Sequence, residues 1–407
     1  MDIAFMTPPF PKYSETFITN QIIALIKRGH NVEVFSRGKP SNPAEHAMIE
    51  DNHLNELTRH IEPIDDYPSG IKQYLATALN SQSFSDILKS VRYSKQAPTR
   101  LKCQEIFQNA KKFDVVHAHF GPISRQWDFV STLPDQGPFV ATYYGYDVTG
   151  KLHPNNYDFY TKTDHWNSVD LAIGISEHIR SRMIMVGCPE ENSTTLPIGV
   201  DPSLFRFSPT PYNSDSELQL VSTCRHTQKK GLEYAIRAVG ELKDRGISLS
   251  YTIAGDGELT PMYRKLISDA GLEDEVELIG RVPQETVSEL MQNAHLYIQP
   301  SVTTPSGDME GQGLVFQEAQ ATGTPPIATF HDGIPEGVRH AETGRLAPER
   351  DVSRLTDEIE YFVTNPNEII NYAKRGREII EQEYHYIKLA ERQEALYESV
   401  IKESNSS

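Results

Sequence analysis

The sequence predicts an α/β protein of two domains, each built on a parallel sheet, with the sheets facing one another across a deep cleft. Three observations carry that expectation. The chain has 407 residues, beyond the size at which a single hydrophobic core keeps growing. Short apolar runs alternate with helical periodicity near the amino terminus, and a second such series starts at LQLVSTCR, from Leu218. Between them RFSPTPYNSDSE, residues 206–217, is rich in proline, serine and acid and reads as a linker.

In the first series DIAFMT is a buried strand, PPFPKYSE a proline-rich loop, and TFITNQIIALIKRG a helix with Ile18, Ile22 and Leu25 at helical spacing. Thr16 is its expected N-cap and Gly29 its stop. NVEVFS is the second strand, and strand, helix and strand at this spacing imply a right-handed parallel crossover. A less regular, helix-rich stretch over about 40–112 follows. Then DVVHAHF, PFVATYYG and VDLAIGIS read as parallel strands, EHIRSRMIMVG as a helix, and STTLPIGVDPSLF closes a first domain of residues 1–205. The second domain, residues 218–385, continues through helix GLEYAIRAVGELKDRG, strand LSYTIAGDG, helix LTPMYRKLISDAG, strand EVELIGRV, helix QETVSELMQNA and strand LYIQPS. The last helix, YIKLAERQEALYESVIKE within 386–407, is amphipathic. Periodicity leaves open whether it packs back on the first domain.

Composition narrows the function. Hydrophobic residues make up 38% and charged residues 23%, as in a folded globular chain. No apolar run approaches the ~20 residues of a membrane helix, and MDIAFMTPPF reads as a strand rather than a signal peptide. Cys103, Cys188 and Cys224 offer neither a disulfide framework nor metal-ligand spacing, which points to a reducing cytoplasm. A net charge of −17 argues against nucleic-acid binding. One segment departs from that acidity. Residues 89–112 carry Lys89, Arg92, Lys95, Arg100, Lys102, Lys111 and Lys112 against Glu105 alone. A solvated helical face is the first reading, and a peripheral contact with an anionic membrane at its inner face the second.

The chemistry concentrates in DMEGQGLVFQEAQATGTPPIAT, residues 308–329. A strand ends just before it, and Gly311 and Gly313 permit a tight turn with close backbone approach to a ligand. A helix is expected from about Leu314. Its unpaired amides and positive end suit a phosphate or diphosphate. Glu310 and Glu318 flank that end, and carboxylates repel phosphates, so they address hydroxyl groups on either side. Ribose diol, diphosphate and sugar hydroxyls make that layout in a nucleotide sugar. Arg225, ending the strand LQLVSTC, and Lys230, ahead of the next helix, are placed to neutralise the diphosphate, with Lys229 as a competitor for the second role.

With those residues assembled, nearly the whole chain resembles the family-four retaining glycosyltransferases of the GT-B fold, and among them bacterial exopolysaccharide and colanic-acid-type sugar transferases. FPKYSETFITNQIIALIKRGHNVEVFS, DVVHAHFG, ISEHIRSRMIMVGCPEENSTTLPIGVDPSLF, KKGLEYAIRAV, IAGDGEL and PSVTTPSGDMEGQGLVFQEAQATGTPPIATFHDGIPEGV carry the likeness in order. The resemblance implies two Rossmann-like domains, with the acceptor on the first and a nucleotide sugar on the second. It implies that Glu318 holds the donor ribose and Glu310 the donor sugar. The amides of Gly313, Leu314 and Val315 would face sugar and diphosphate, Arg225 and Lys230 would hold the diphosphate, and the backbone at Arg281 and Val282 would meet the base. The implied reaction moves the sugar, with retention, to a hydroxyl of a saccharide or lipid-linked saccharide, with Glu310, Arg225, Lys230 and Asp147 as its catalytic set.

Departures from the family pattern bear on the donor sugar and on acceptor or sugar choice. Tyr144, in YYGYD, stands where the family often has histidine, while Asp147 matches. Asp332-Gly333 replaces a glycine pair, and Ser14, Glu15 and Thr16 replace another in the first loop. His119 is a candidate cleft residue, whereas His117 reads as a satisfied strand residue. No Asp-x-Asp occurs in the chain, so neither a metal nor another cofactor is expected. Three other readings are an epimerase or phosphorylase on the same fold, a catalytically silent sugar-binding partner, and an NAD-dependent oxidoreductase. The last needs Gly-x-Gly-x-x-Gly after the first strand, and TPPFPKYSE has none.

Overall fold

The structure is a computed structural model that describes residues 1–12, 15–40, 47–63, 97–145, 147–148, 160 and 164–405. Ser14, Lys89, Arg92 and Lys95 lie outside the described residues.

The first sheet is built from β1 (Asp2–Thr7), β2 (Asn31–Ser36), β3 (Thr58–His60), β4 (Val115–His119), β5 (Phe139–Tyr143), β6 (Leu171–Gly174) and β7 (Ser193–Thr195). Its order is β3-β2-β1-β4-β5-β6-β7, and the paired strands run parallel. Burial on both faces explains the near-continuous apolar runs: β4 and β5 are buried at every position. The second sheet uses β8 (Leu218–Thr223), β9 (Leu249–Ala254), β10 (Val276–Gly280), β11 (Leu296–Ile298), β12 (Pro326–Thr329) and β13 (Arg345–Ala347) in the order β10-β9-β8-β11-β12-β13, again parallel.

Each sheet reverses its winding once, between β1 and β4 in the first and between β8 and β11 in the second. Loops leaving the carboxyl ends of the two strands at such a switch diverge and leave a crevice. The segments after β8 and β11 are those that carry Arg225, Lys230 and Glu310. Topology therefore places them together although 80 residues separate Lys230 from Glu310.

The first helix runs Thr16–Lys27. Thr16 is its first helical residue and not its cap: Glu15 holds the preceding position, without a side-chain capping bond. The helix Tyr386–Ser404 does pack back on the first domain. Its Tyr397 hydroxyl lies 2.5 Å from His117 Nδ1, whose Nε2 is 2.7 Å from Thr142 Oγ1. Arg28 reaches Glu391 at 2.9 Å and Glu394 at 2.5 Å, and Gln21 donates to Gln393 at 2.5 Å. His117 is thus the satisfied strand residue expected of it, and burial pushes its imidazole down to about 3.

The segment between the sheets is no free tether. Ser208 N donates to Thr322 O at 2.9 Å, Tyr212 is buried, and Arg377 donates to the carbonyls of Phe205 (3.0 Å) and Ala321 (2.8 Å). In the basic segment, the helix Ala97–Gln108 buries Arg100, which pairs with Asp128, while Lys111 pairs with Asp2 at 2.9 Å. Those two cations have acidic partners, while Lys112 is exposed.

Candidate active site

The site begins with a backbone constraint. After β8 the chain makes a 3₁₀ turn, Gln228–Lys230, closed by Gly231 at φ +65°. A Cβ at Gly231 would lie 1.9 Å from the Pro300 carbonyl oxygen, so only glycine lets this turn press against the end of β11. Lys229 O accepts from Val302 N at 2.9 Å and locks the two loops together. The neighbouring lysines then diverge. Lys229 Nζ takes Asp308 Oδ1 and Met309 O, both at 3.3 Å, whereas Lys230 Nζ pairs with Glu310 Oε2.

Glu310 is largely buried. Burial pushes its carboxyl up, yet the charges of Lys230 and Lys229 and the Lys230 hydrogen bond outweigh that and hold it at about 2. It is therefore a fixed carboxylate at any ordinary pH. Its own amide donates to His331 Nε2 at 3.0 Å, and His331 Nδ1 lies 2.5 Å from Glu349 Oε1. His331 Nε2 also lies 3.0 Å from Asp332 Oδ2, so the ring joins Glu349, Asp332 and the Glu310 amide. Sequence reasoning missed His331 and Glu349. The only available signal was the position of His331 beside Asp332-Gly333.

Gly313 caps the helix Leu314–Thr322 from the left-handed region. The first amides of a helix have no i−4 acceptors; here Phe316 N takes the Gly313 carbonyl at 2.9 Å, and a Cβ on Gly313 would stand 3.5 Å from Glu310 Cγ. Glu318 follows four residues into the helix, about 6 Å along its axis. It lines a pocket between the domains, together with Leu314, Thr16, Asn20, Phe205 and Ser288. Burial raises the Glu318 carboxyl to about 7, against the pull of Lys230. The charge of Lys230 thus acts on both glutamates, and it pairs directly with Glu310.

The remaining expected residues divide. Arg225 is exposed immediately beyond β8. Arg281 and Val282 form the turn after β10, with Arg281 Nε 3.8 Å from Asp256 Oδ2. The helix that follows them, Gln284–Asn293, contributes Gln284, Glu285 and Ser288 to the Glu318 pocket. Asp147 has both oxygens engaged by main-chain amides: Gly121 at 2.9 Å, Tyr144 at 3.0 Å and Gly145 at 2.8 Å. That arrangement makes Asp147 an organiser of the loop after β5. Tyr144 Oη lies 2.6 Å from His119 Nδ1, so the tyrosine hydroxyl is held by the strand beneath it. His119 is fully buried, which sets it behind the cleft surface. Glu15 turns to Lys12 at 3.0 Å, and Thr16 reaches the Glu318 pocket.

Lys230→Met keeps the length of the side chain and removes its charge. Near neutral pH it is expected to cost about 3–5 kcal/mol in denaturant titrations, because Glu310 is left buried without its main partner. The Glu310 carboxyl is held at about 2 against an ordinary 4.5, so the pair's contribution is present above 4.5 and lost as pH falls through that window. Wild type and variant should converge in acid. A gap that stays constant down to the lower end of the window contradicts the pairing.

Comparison with known proteins gives the family and the fold. Residues 14–204 match the model for Glycosyltransferase Family 4, and residues 208–379 that for Glycosyl transferases group 1. A putative colanic acid biosynthesis glycosyltransferase of Escherichia coli K12 is 32% identical over 401 residues, covering 95% of this chain and 96% of the relative. An amylovoran biosynthesis glycosyltransferase of Erwinia amylovora is 31% identical over 405 residues, covering 96% and 98%. Among solved structures, HepE of Anabaena in complex with UDP and glucose superposes with a TM-score of 0.73 at 17% identity, covering 98% of this chain and 100% of that one. Sucrose-phosphate synthase from Thermosynechococcus elongatus gives 0.74 at 17% identity, covering 99% of each. The architecture is GT-B, and the chain belongs to the family-4, group-1 glycosyltransferases.

Proposed function

We propose that this glycosyltransferase moves a sugar from a nucleoside-diphosphate sugar to a hydroxyl of a saccharide or lipid-linked saccharide, with retention of anomeric configuration, in exopolysaccharide assembly. The observation that carries the donor class is Lys230, which pairs with Glu310 and whose charge also acts on Glu318, four residues into the helix Leu314–Thr322. A diphosphate there meets unpaired amides, an ammonium group and Arg225, while ribose and sugar hydroxyls donate to the two carboxylates. The names of the colanic acid and amylovoran relatives support the exopolysaccharide setting, and the UDP in HepE supports the donor class.

In the reaction the sugar–phosphate bond breaks and negative charge grows on the departing diphosphate. A fixed cation acts most strongly on charge that develops in the transition state, and removing one such contact costs about 3 kcal/mol. Lys230 and Arg225 supply that stabilisation. The acceptor hydroxyl attacks from the face the diphosphate leaves. Glu310, ionised and held by Lys230, fixes the donor sugar through its hydroxyls. Two positive side chains and a helix terminus make a bridging metal unnecessary in this scheme. No described helix is long and apolar enough to cross a membrane. We place the reaction in the cytoplasm, with any membrane contact peripheral.

Two outcomes test the reading. Nucleoside diphosphate affinity, measured by calorimetry for UDP, GDP and ADP, should strengthen as pH rises through about 7, because ribose hydroxyls donate to an ionised Glu318. Glu318→Gln should weaken the best of them and flatten that pH dependence. Equal affinity and an unchanged profile in the variant contradict the ribose assignment. Transfer should also persist in excess EDTA, measured as product formed per unit time. Loss of turnover restored by magnesium contradicts the metal-free scheme.

A further inference from the structure

The loop between the two glutamates is gripped by the other domain. Gln312, 3% exposed, lays its amide along the backbone of Ile198 in the segment after β7. Its Oε1 accepts from Ile198 N at 2.7 Å, and its Nε2 donates to Ile198 O at 2.9 Å. The side chain thus copies the two-bond pairing of a strand neighbour. On the other side of Gly311, Ser176 Oγ donates to the Gly311 carbonyl at 3.1 Å. Gly311 itself has no room for a side chain, since a Cβ there would lie 2.3 Å from Tyr144 O. Three segments of the first domain therefore hold the stretch that begins with Glu310 and ends at the helix cap, Gly313.

We infer that Gln312 is a positioning residue that couples domain closure to the geometry of the donor site, an inference that rests on the donor reading above. Its neighbours on either side of the glycines are Glu310 and the helix start, so the loop cannot shift against Ile198 without shifting both. With the domains apart, the amide is free to bond water. With them together, the same two bonds are made to Ile198, so neither state leaves a buried polar group unpaired. Gln312 then adds little to donor affinity. It fixes where the bound sugar stands relative to the acceptor side. Glu336, which accepts from the amides of Glu177 (2.8 Å) and His178 (3.1 Å), is a separate contact between the domains that survives its removal.

The test uses Gln312→Ala and Gln312→Glu in the full chain, with thermal unfolding as the check on folding. Hydrogen exchange at the Ile198 amide should accelerate about tenfold or more in Gln312→Ala. Affinity for the nucleoside diphosphate bound best should stay within about twofold, while kcat for transfer falls about 10- to 100-fold and the share of donor lost to water rises. Gln312→Glu keeps an acceptor for Ile198 N but sets a carboxylate against Ile198 O. Its rate, relative to wild type, should recover in acid, where the new carboxyl is protonated and donates again. Affinity falling in step with kcat, an unchanged kcat in both variants, or unchanged exchange at Ile198 overturns the inference. Should wild type bind no nucleoside diphosphate, the donor reading fails on its own. The exchange measurement then decides the Gln312 contact by itself.

Discussion

A lysine that pairs with one largely buried glutamate and whose charge acts on a second is the constraint on which the site depends. Lys230 keeps Glu310 ionised in a largely buried place, and it pulls against the burial that raises Glu318. Coulomb energy between buried charges repays desolvation only when geometry is good, and the geometry here is set by backbone. Gly231 lets the lysine turn sit against Pro300, and Val302 N bonds Lys229 O. His331 and Glu349 fix the amide of Glu310 from beneath. The result differs between the two acids: one is a permanent carboxylate, the other changes state near neutral pH. Hydroxyl-bearing ligands on either side of an anion would meet two different partners.

The domains are joined by more than their connecting segment. The last helix returns to the first domain and seals its sheet through Tyr397, Gln393 and the Arg28 ion pairs, so the chain crosses between the lobes twice. Segment 205–212 and Arg377 brace the second lobe against the crossing point. This leaves the cleft bounded by rigid carboxyl ends of parallel strands and by the loop around Gln312.

Much of this was legible in the sequence, for a physical reason. Long amphipathic helices such as Leu232–Asp244 and fully buried strands such as β4 write their periods plainly. Strands β3, β7 and β13 have three residues each, too few to show a period, and went unread. The helix from Leu314 and its flanking acids were found because glycines, helix start and carboxylates lie within one short stretch. His331, Glu349 and Gln312 were not, because their roles exist only once distant loops meet. Asp147 shows the reverse case: the resemblance gave it a place in the catalytic set, and its bonds to three amides give it a place in the scaffold. Thr16 was one position out as a cap, since the chain turns into the helix at Glu15 without a side-chain bond.

The most direct measurement is a crystal structure of the chain with a bound nucleoside diphosphate. The account predicts both phosphates against the amides of residues 313–315, within reach of Lys230 Nζ, and the ribose hydroxyls on Glu318. Phosphates bound away from that helix end, or a ribose turned from Glu318 with Lys230 still closed on Glu310 alone, contradict it.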